Sequence, residues 1–171
     1  MATASKQNVR SDTEAFLEFL AQERDVSSLS IGATGYCMGG GLSLSAAGSF
    51  PDRVLTAASY HGGNLATDDP ESPHLLAPRI KARVYVAGAV EDASFPDSQK
   101  RQLTEALQAA GVTHTVETYA GAKHGWCRPI QWCTTARPPT ANFARLVRAD
   151  AEARASQVLS CSEPAIGRPH A

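Results

Sequence analysis

Ser28-Leu29-Ser30-Ile31-Gly32-Ala33-Thr34 is a run of small and apolar residues that reads as a strand, and it leads straight into Gly35-Tyr36-Cys37-Met38-Gly39. Gly35 is expected to stop the strand. Gly39-Gly40-Gly41 then opens a segment through Leu42, Leu44, Ala46 and Ala47, which predicts a short helix ended near Pro51. No other feature constrains the fold as tightly as this junction. A glycine on each side of the cysteine permits a sharp turn, because a side chain there meets neighbouring backbone. The turn lifts the sulfur off the sheet and aims it at a helix start, where backbone N–H groups stabilise a thiolate and, later, an oxyanion. Cys37 is therefore a candidate nucleophile and Met38 N–H a candidate oxyanion donor. A buried cysteine that binds nothing is the bland alternative, and the strand before and helix after weigh against it.

The rest of the chain alternates between the two periods. Phe16, Phe19 and Leu20 share a helical face after the capping residues Ser11 and Asp12, which predicts a helix over about 12–24. Val54 to Tyr60 reads as a second strand, residues 64–79 with their prolines as a surface loop, and Ala82 to Ala89 as a third strand. Leu103, Ala106, Leu107 and Ala110 predict a helix over 99–110, and His114 to Tyr119 alternates as a fourth strand. Strands separated by helices imply an α/β fold with a mostly parallel sheet and helices on both faces. The character changes after Trp126. We expect a domain over residues 1–126 and an atypical segment over 127–171, with one helix at about 140–159 and a disordered end.

Composition narrows the classes of function. With 171 residues the chain fits one domain, and 43% hydrophobic residues are too many for a disordered chain. Sixteen Lys and Arg against seventeen Asp and Glu leave a net charge of -1, so a phosphate-neutralising nucleic-acid surface is not expected. No uncharged run reaches membrane-spanning length, and Met1-Ala2-Thr3-Ala4-Ser5-Lys6 lacks a signal-peptide core. Four cysteines without a secretory signal suggest reduced thiols and a cytoplasmic location. Cys127, Cys133, Cys161, His114 and His124 show no paired C-x-x-C spacing, so no metal is expected.

A nucleophile on such a turn needs an acid and then a histidine later in the chain. Asp92 follows the third strand and His124 the fourth, both at the edge where open α/β sheets build their sites. Glu91 and Asp97 lie close to Asp92 and compete with it as the acid. His61, after the second strand, is a rival base in the wrong chain order.

Three blocks, Gly35-Tyr36-Cys37-Met38-Gly39-Gly40, Glu91-Asp92-Ala93-Ser94-Phe95-Pro96 and Tyr119-Ala120-Gly121-Ala122-Lys123-His124-Gly125-Trp126, resemble the dienelactone hydrolase family of the α/β-hydrolase superfamily. The resemblance runs in unbroken order from about residue 10 to 126. It implies the C-terminal part of an α/β-hydrolase fold, with a catalytic Cys37, Asp92 and His124 and no cofactor. Asp92 is preferred to Asp97 because the family's acid directly precedes the segment leading to Phe95-Pro96. Tyr60 and Trp126 are the candidate substrate contacts. The implied reaction is hydrolysis of a small-molecule ester or lactone through a thioester. The alternatives are a weakly active or inactive fragment and an acyltransferase using the same three residues.

Two departures from the family pattern stand out. Family members carry several strands and a helix before the cysteine turn, including the loop that supplies a second oxyanion donor, and this chain starts almost at the turn. After Trp126, residues 128–139 look foreign, whereas Asn142 to Val147 look family-like again, which suggests a reading-frame slip between them.

Overall fold

The computed structural model describes residues 6–24 and 30–126. The expected segment boundary at 127, the helix at 140–159 and the foreign stretch at 128–139 lie outside the described residues. Helix α1 spans Lys6–Gln22 and starts a turn and a half before the expected boundary. Ser11 explains the difference. Its hydroxyl donates to the Asn8 carbonyl at 3.0 Å within the helix, a back-bond that leaves it no capping role. Strand β1 (Ile31–Tyr36), helix α2 (Met38–Ser49), strand β2 (Val54–Tyr60), strand β3 (Arg83–Glu91), helix α3 (Asp97–Ala109) and strand β4 (His114–Lys123) follow in order.

The four strands form one parallel sheet in the order β1-β2-β3-β4. Gly35 does not stop β1: it pairs with Ser59 and Tyr36 pairs with Tyr60, so the turn falls on Cys37 itself. The loop expected at 64–79 carries a 3₁₀ helix over Pro73–Arg79. Strand β4 runs four residues past its expected end. Between the pairs Ala89–Tyr119 and Glu91–Lys123, one residue of β3 faces three of β4, and Gly121 at φ 76° takes up the slack.

Parallel neighbours are joined by right-handed crossovers, and an order that steps in one direction sends every crossover over the same face. The core follows that rule. Leu44 and Ala47 of α2, Ala77 of the 3₁₀ helix, and Leu103 and Leu107 of α3 pack with Val54, Ala57, Val84 and Val86 of the strands. The opposite face holds a second cluster, Ala58, Tyr60, Tyr85, Ala87, Ala89, Ala122 and Trp126, which draws on no described helix. Tyr36 stacks on Tyr60 at 5.1 Å, Tyr60 meets Tyr85 at 5.8 Å, and Tyr119 meets Trp126 at 4.6 Å. The hydroxyls of Tyr85 and Tyr119 close this aromatic row at 2.7 Å.

The glycines of the cysteine turn are not equivalent. A Cβ on Gly35 would lie 1.8 Å from the Gly39 carbonyl oxygen, and one on Gly40 would lie 2.2 Å from Ser59 Oγ, whereas one on Gly39 meets nothing within 4 Å. The turn is thus enforced at Gly35 and Gly40, not at Gly39. Gly35→Ala is expected to cost about 1–3 kcal/mol or more through backbone overlap. Gly39→Ala, in a helix, is expected to be neutral or to gain about 0.5–1 kcal/mol. Urea-unfolding midpoints for the two variants check this, and equal losses would contradict it.

Candidate active site

All four strands end at the same edge, so the residues that follow them converge. Cys37 lies between β1 and α2 with φ 55° and ψ -123°. A residue with a side chain holds that conformation only when its surroundings over-determine it. Here the Cys37 N–H donates to the Tyr60 carbonyl at 3.0 Å, and its own carbonyl accepts from Gly40 N–H at 3.0 Å. The sulfur is left exposed at the first turn of α2.

Asp92 comes off the end of β3 and is buried. Its Oδ1 accepts from the Ser94 N–H at 3.0 Å and from the Ser94 hydroxyl. Its Oδ2 accepts from His124 Nδ1 at 2.8 Å. An ionised carboxylate only accepts, so Nδ1 carries the ring proton, and Nε2 faces Cys37 Sγ at 3.2 Å. The β4 bulge and Gly125 at φ 87° flank His124 and let it return towards a cysteine on the far strand.

The rival acids are placed elsewhere. Asp97 pairs with Lys100 Nζ at 2.9 Å, and Glu91 is exposed at the end of β3. His61, the rival base, is buried, with its ring edge-on to that of His124 at 5.1 Å between centroids. Tyr60 and Trp126, expected to touch substrate, sit in the aromatic row. Tyr60 is 0% exposed there and offers a substrate no surface. Ser94 is the residue that sequence reasoning passed over. An Asp followed two residues later by Ser is an Asx-turn signal, and both Ser94 donors return to that carboxylate.

The electrostatics follow from these contacts. The bond from His124 lowers the Cys37 pKa and, with the Met38 N–H, outweighs the partial burial that raises it. His124 is raised, chiefly by its bond to Cys37 and further by Asp92, against the opposing effect of burial. For Asp92 burial is the largest single influence and pushes upward, yet the bonds from Ser94 and His124 together leave it lowered. The signs of the linkage to folding are therefore opposite. His124 contributes stability below the ordinary imidazole range and loses it as pH rises through its folded value. Asp92 contributes above the ordinary carboxylate range and loses that as pH falls through its folded value.

Residues 1–157 match the dienelactone hydrolase family. A Synechocystis protein named "Putative carboxymethylenebutenolidase" is 30% identical over 124 residues, which are 71% of this chain and 50% of that one. The chain spans about half the length of the curated relatives it matches. Among solved structures, a Klebsiella pneumoniae protein titled "Putative Dienelactone Hydrolase" superposes with a TM-score of 0.71 at 20% identity, covering 84% of this chain and 60% of that one. A dienelactone hydrolase-like promiscuous phosphotriesterase from metagenomic libraries gives 0.64 at 22% identity, covering 89% and 62%. At these identities the superpositions speak to the fold alone. No helix among the described residues is long and apolar enough to cross a membrane.

Alkylation of Cys37 by iodoacetamide is expected to rise with pH around a midpoint below the ordinary thiol range. His124→Ala removes the largest lowering influence and is expected to move that midpoint upward. Peptide mass mapping across a pH series reads both, and an unchanged midpoint in the variant would show that His124 does not hold the thiolate.

Proposed function

The chain belongs to the dienelactone hydrolase family, and we propose that it hydrolyses small-molecule carboxylic esters or lactones with Cys37 as nucleophile, His124 as base and Asp92 as its orienter. The observation that carries this reading is the unbroken line of hydrogen bonds from Asp92 through His124 to an exposed sulfur held in a strained turn. An imidazole fixed at one nitrogen by a carboxylate and facing a thiol with the other is the arrangement nucleophilic catalysis needs.

In the proposed mechanism His124 Nε2 takes the Cys37 proton as the thiolate attacks the carbonyl carbon. Negative charge gathers on the carbonyl oxygen, and Met38 N–H, at the first residue of α2, is the donor we assign to it. The carbon–oxygen ester bond then breaks, and the imidazolium returns its proton to the departing alkoxide. For a lactone that alkoxide stays tethered to the acyl group. Water, deprotonated by the same nitrogen, next attacks the thioester and releases the acid and the free thiol. Asp92 stabilises the imidazolium in both halves without taking its proton. Ser94 acts one step further out, holding Asp92 ionised and aimed.

Hydrolysis of p-nitrophenyl acetate and of a simple enol lactone by the purified chain tests the reading, with intact-mass detection of an acyl adduct on Cys37. Cys37→Ala is expected to abolish turnover and adduct together; turnover that survives it would overturn the assignment. Asp92→Asn is expected to lower kcat by roughly 10³–10⁴-fold, since the imidazole loses its fixed tautomer. Ser94→Ala is expected to cost about tenfold, the size of one hydrogen bond to a charged group. It should also move the acid-unfolding midpoint to higher pH, because a lowering influence on Asp92 is gone.

A further inference from the structure

Cys37, His61 and His124 bring one sulfur and two ring nitrogens within 4.8 Å of one another. We propose that these three side chains form a site for a borderline divalent cation of the zinc class, and that occupancy switches the nucleophile off. Thiolate and imidazole are the donors such ions prefer. Zn–S bonds of about 2.3 Å and Zn–N bonds of about 2.0–2.1 Å at tetrahedral angles place donors roughly 3.3–3.6 Å apart. Cys37 Sγ and His124 Nε2 already stand at 3.2 Å, and the set as a whole, now within 4.8 Å, closes with side-chain shifts of about 1 Å.

The surroundings suit a metal as well. His124 gives its other nitrogen to Asp92, the outer carboxylate that fixes the ring and raises the basicity of a ligating histidine. His61 is buried, and its N–H donates to the Ala87 carbonyl at 2.8 Å, so that ligand is anchored by its backbone. Its ring plane is tilted 68° from that of His124, so the two rings converge without stacking. The exposed sulfur gives the ion an entry and leaves its fourth position to water. Binding forms one sulfur–metal and two nitrogen–metal bonds and expels the proton shared by Cys37 and His124 to solvent. The nucleophile and the base are then both occupied, so the ion acts as an inhibitor that a chelator removes.

Cobalt(II) is the probe. The wild-type chain is expected to take up one equivalent and show a thiolate-to-cobalt charge-transfer band in the near ultraviolet. Cys37→Ser should lose the band, and His61→Gln should weaken affinity by about 100-fold, at or above the effect of losing an outer partner. Zinc should also protect wild-type Cys37 from iodoacetamide and slow ester hydrolysis, with recovery on adding EDTA. His61→Gln, scored against its own zinc-free rate, should tolerate far more zinc. A band that persists in Cys37→Ser would put the metal on Cys127, Cys133 or Cys161 and overturn the proposal. So would equal zinc sensitivity in His61→Gln, or wild-type alkylation that zinc does not slow, a readout that needs no variant. The optical signal is independent of hydrolysis, so a failed metal site and a failed catalytic reading give different results.

Discussion

Everything at the site depends on one backbone conformation. Cys37 at φ 55° turns the chain from β1 into α2 within a single residue, and only there does its sulfur stand clear of the sheet with helix N–H groups beneath it. The strain is offset by the bond to Tyr60 on the neighbouring strand and by the absence of side chains at Gly35 and Gly40. Neither Asp92 nor His124 could engage a sulfur left in the plane of the sheet. The aromatic row behind the turn supports it as well, since Tyr60 accepts the bond from Cys37 through its carbonyl while its ring stacks on Tyr36.

The strand order does the remaining work. Four parallel strands in sequence order place every crossover on one face and every strand end at one edge. Helices on the core side hold the strands in register, and the edge is left to the turns after β1, β2, β3 and β4. The turns supply in order Cys37, His61, Asp92 with Ser94, and His124. The register shift late in β4 corrects for distance. Strands stand about 4.8 Å apart, so a histidine from the fourth needs extra chain to reach a cysteine on the first.

Much of this was legible in the residues because it rests on local chemistry. The strand-to-helix turn shows in its glycines, and the helix at 97–109 shows in Leu103 and Leu107, both buried as their spacing requires. Cys37, Asp92 and His124, singled out in the residues, are brought into contact through the His124 ring. What stayed hidden depends on partners distant in sequence. That Gly40 rather than Gly39 cannot carry a side chain follows from Ser59 and Gly62, which no local pattern announces. The extension of β4 follows from pairing with Glu91, and the burial of Tyr60 from rings on two other strands. Ser94 was legible in principle, as an Asx turn, but its meaning depends on where Asp92 points.

The Cys37–His124 contact joins residues 87 positions apart, and each intervening strand must be in place before it can form. Closing a loop of that length costs only slowly growing entropy, yet it rewards the chain with a single contact at an exposed edge. A local opening of the turn after β4 that parts His124 from Cys37 leaves the buried leucines and valines of the core packed. The integrity of the edge and the integrity of the core are thereby separate properties of this fold: the sheet can persist as a folded body through openings that part the imidazole from the sulfur.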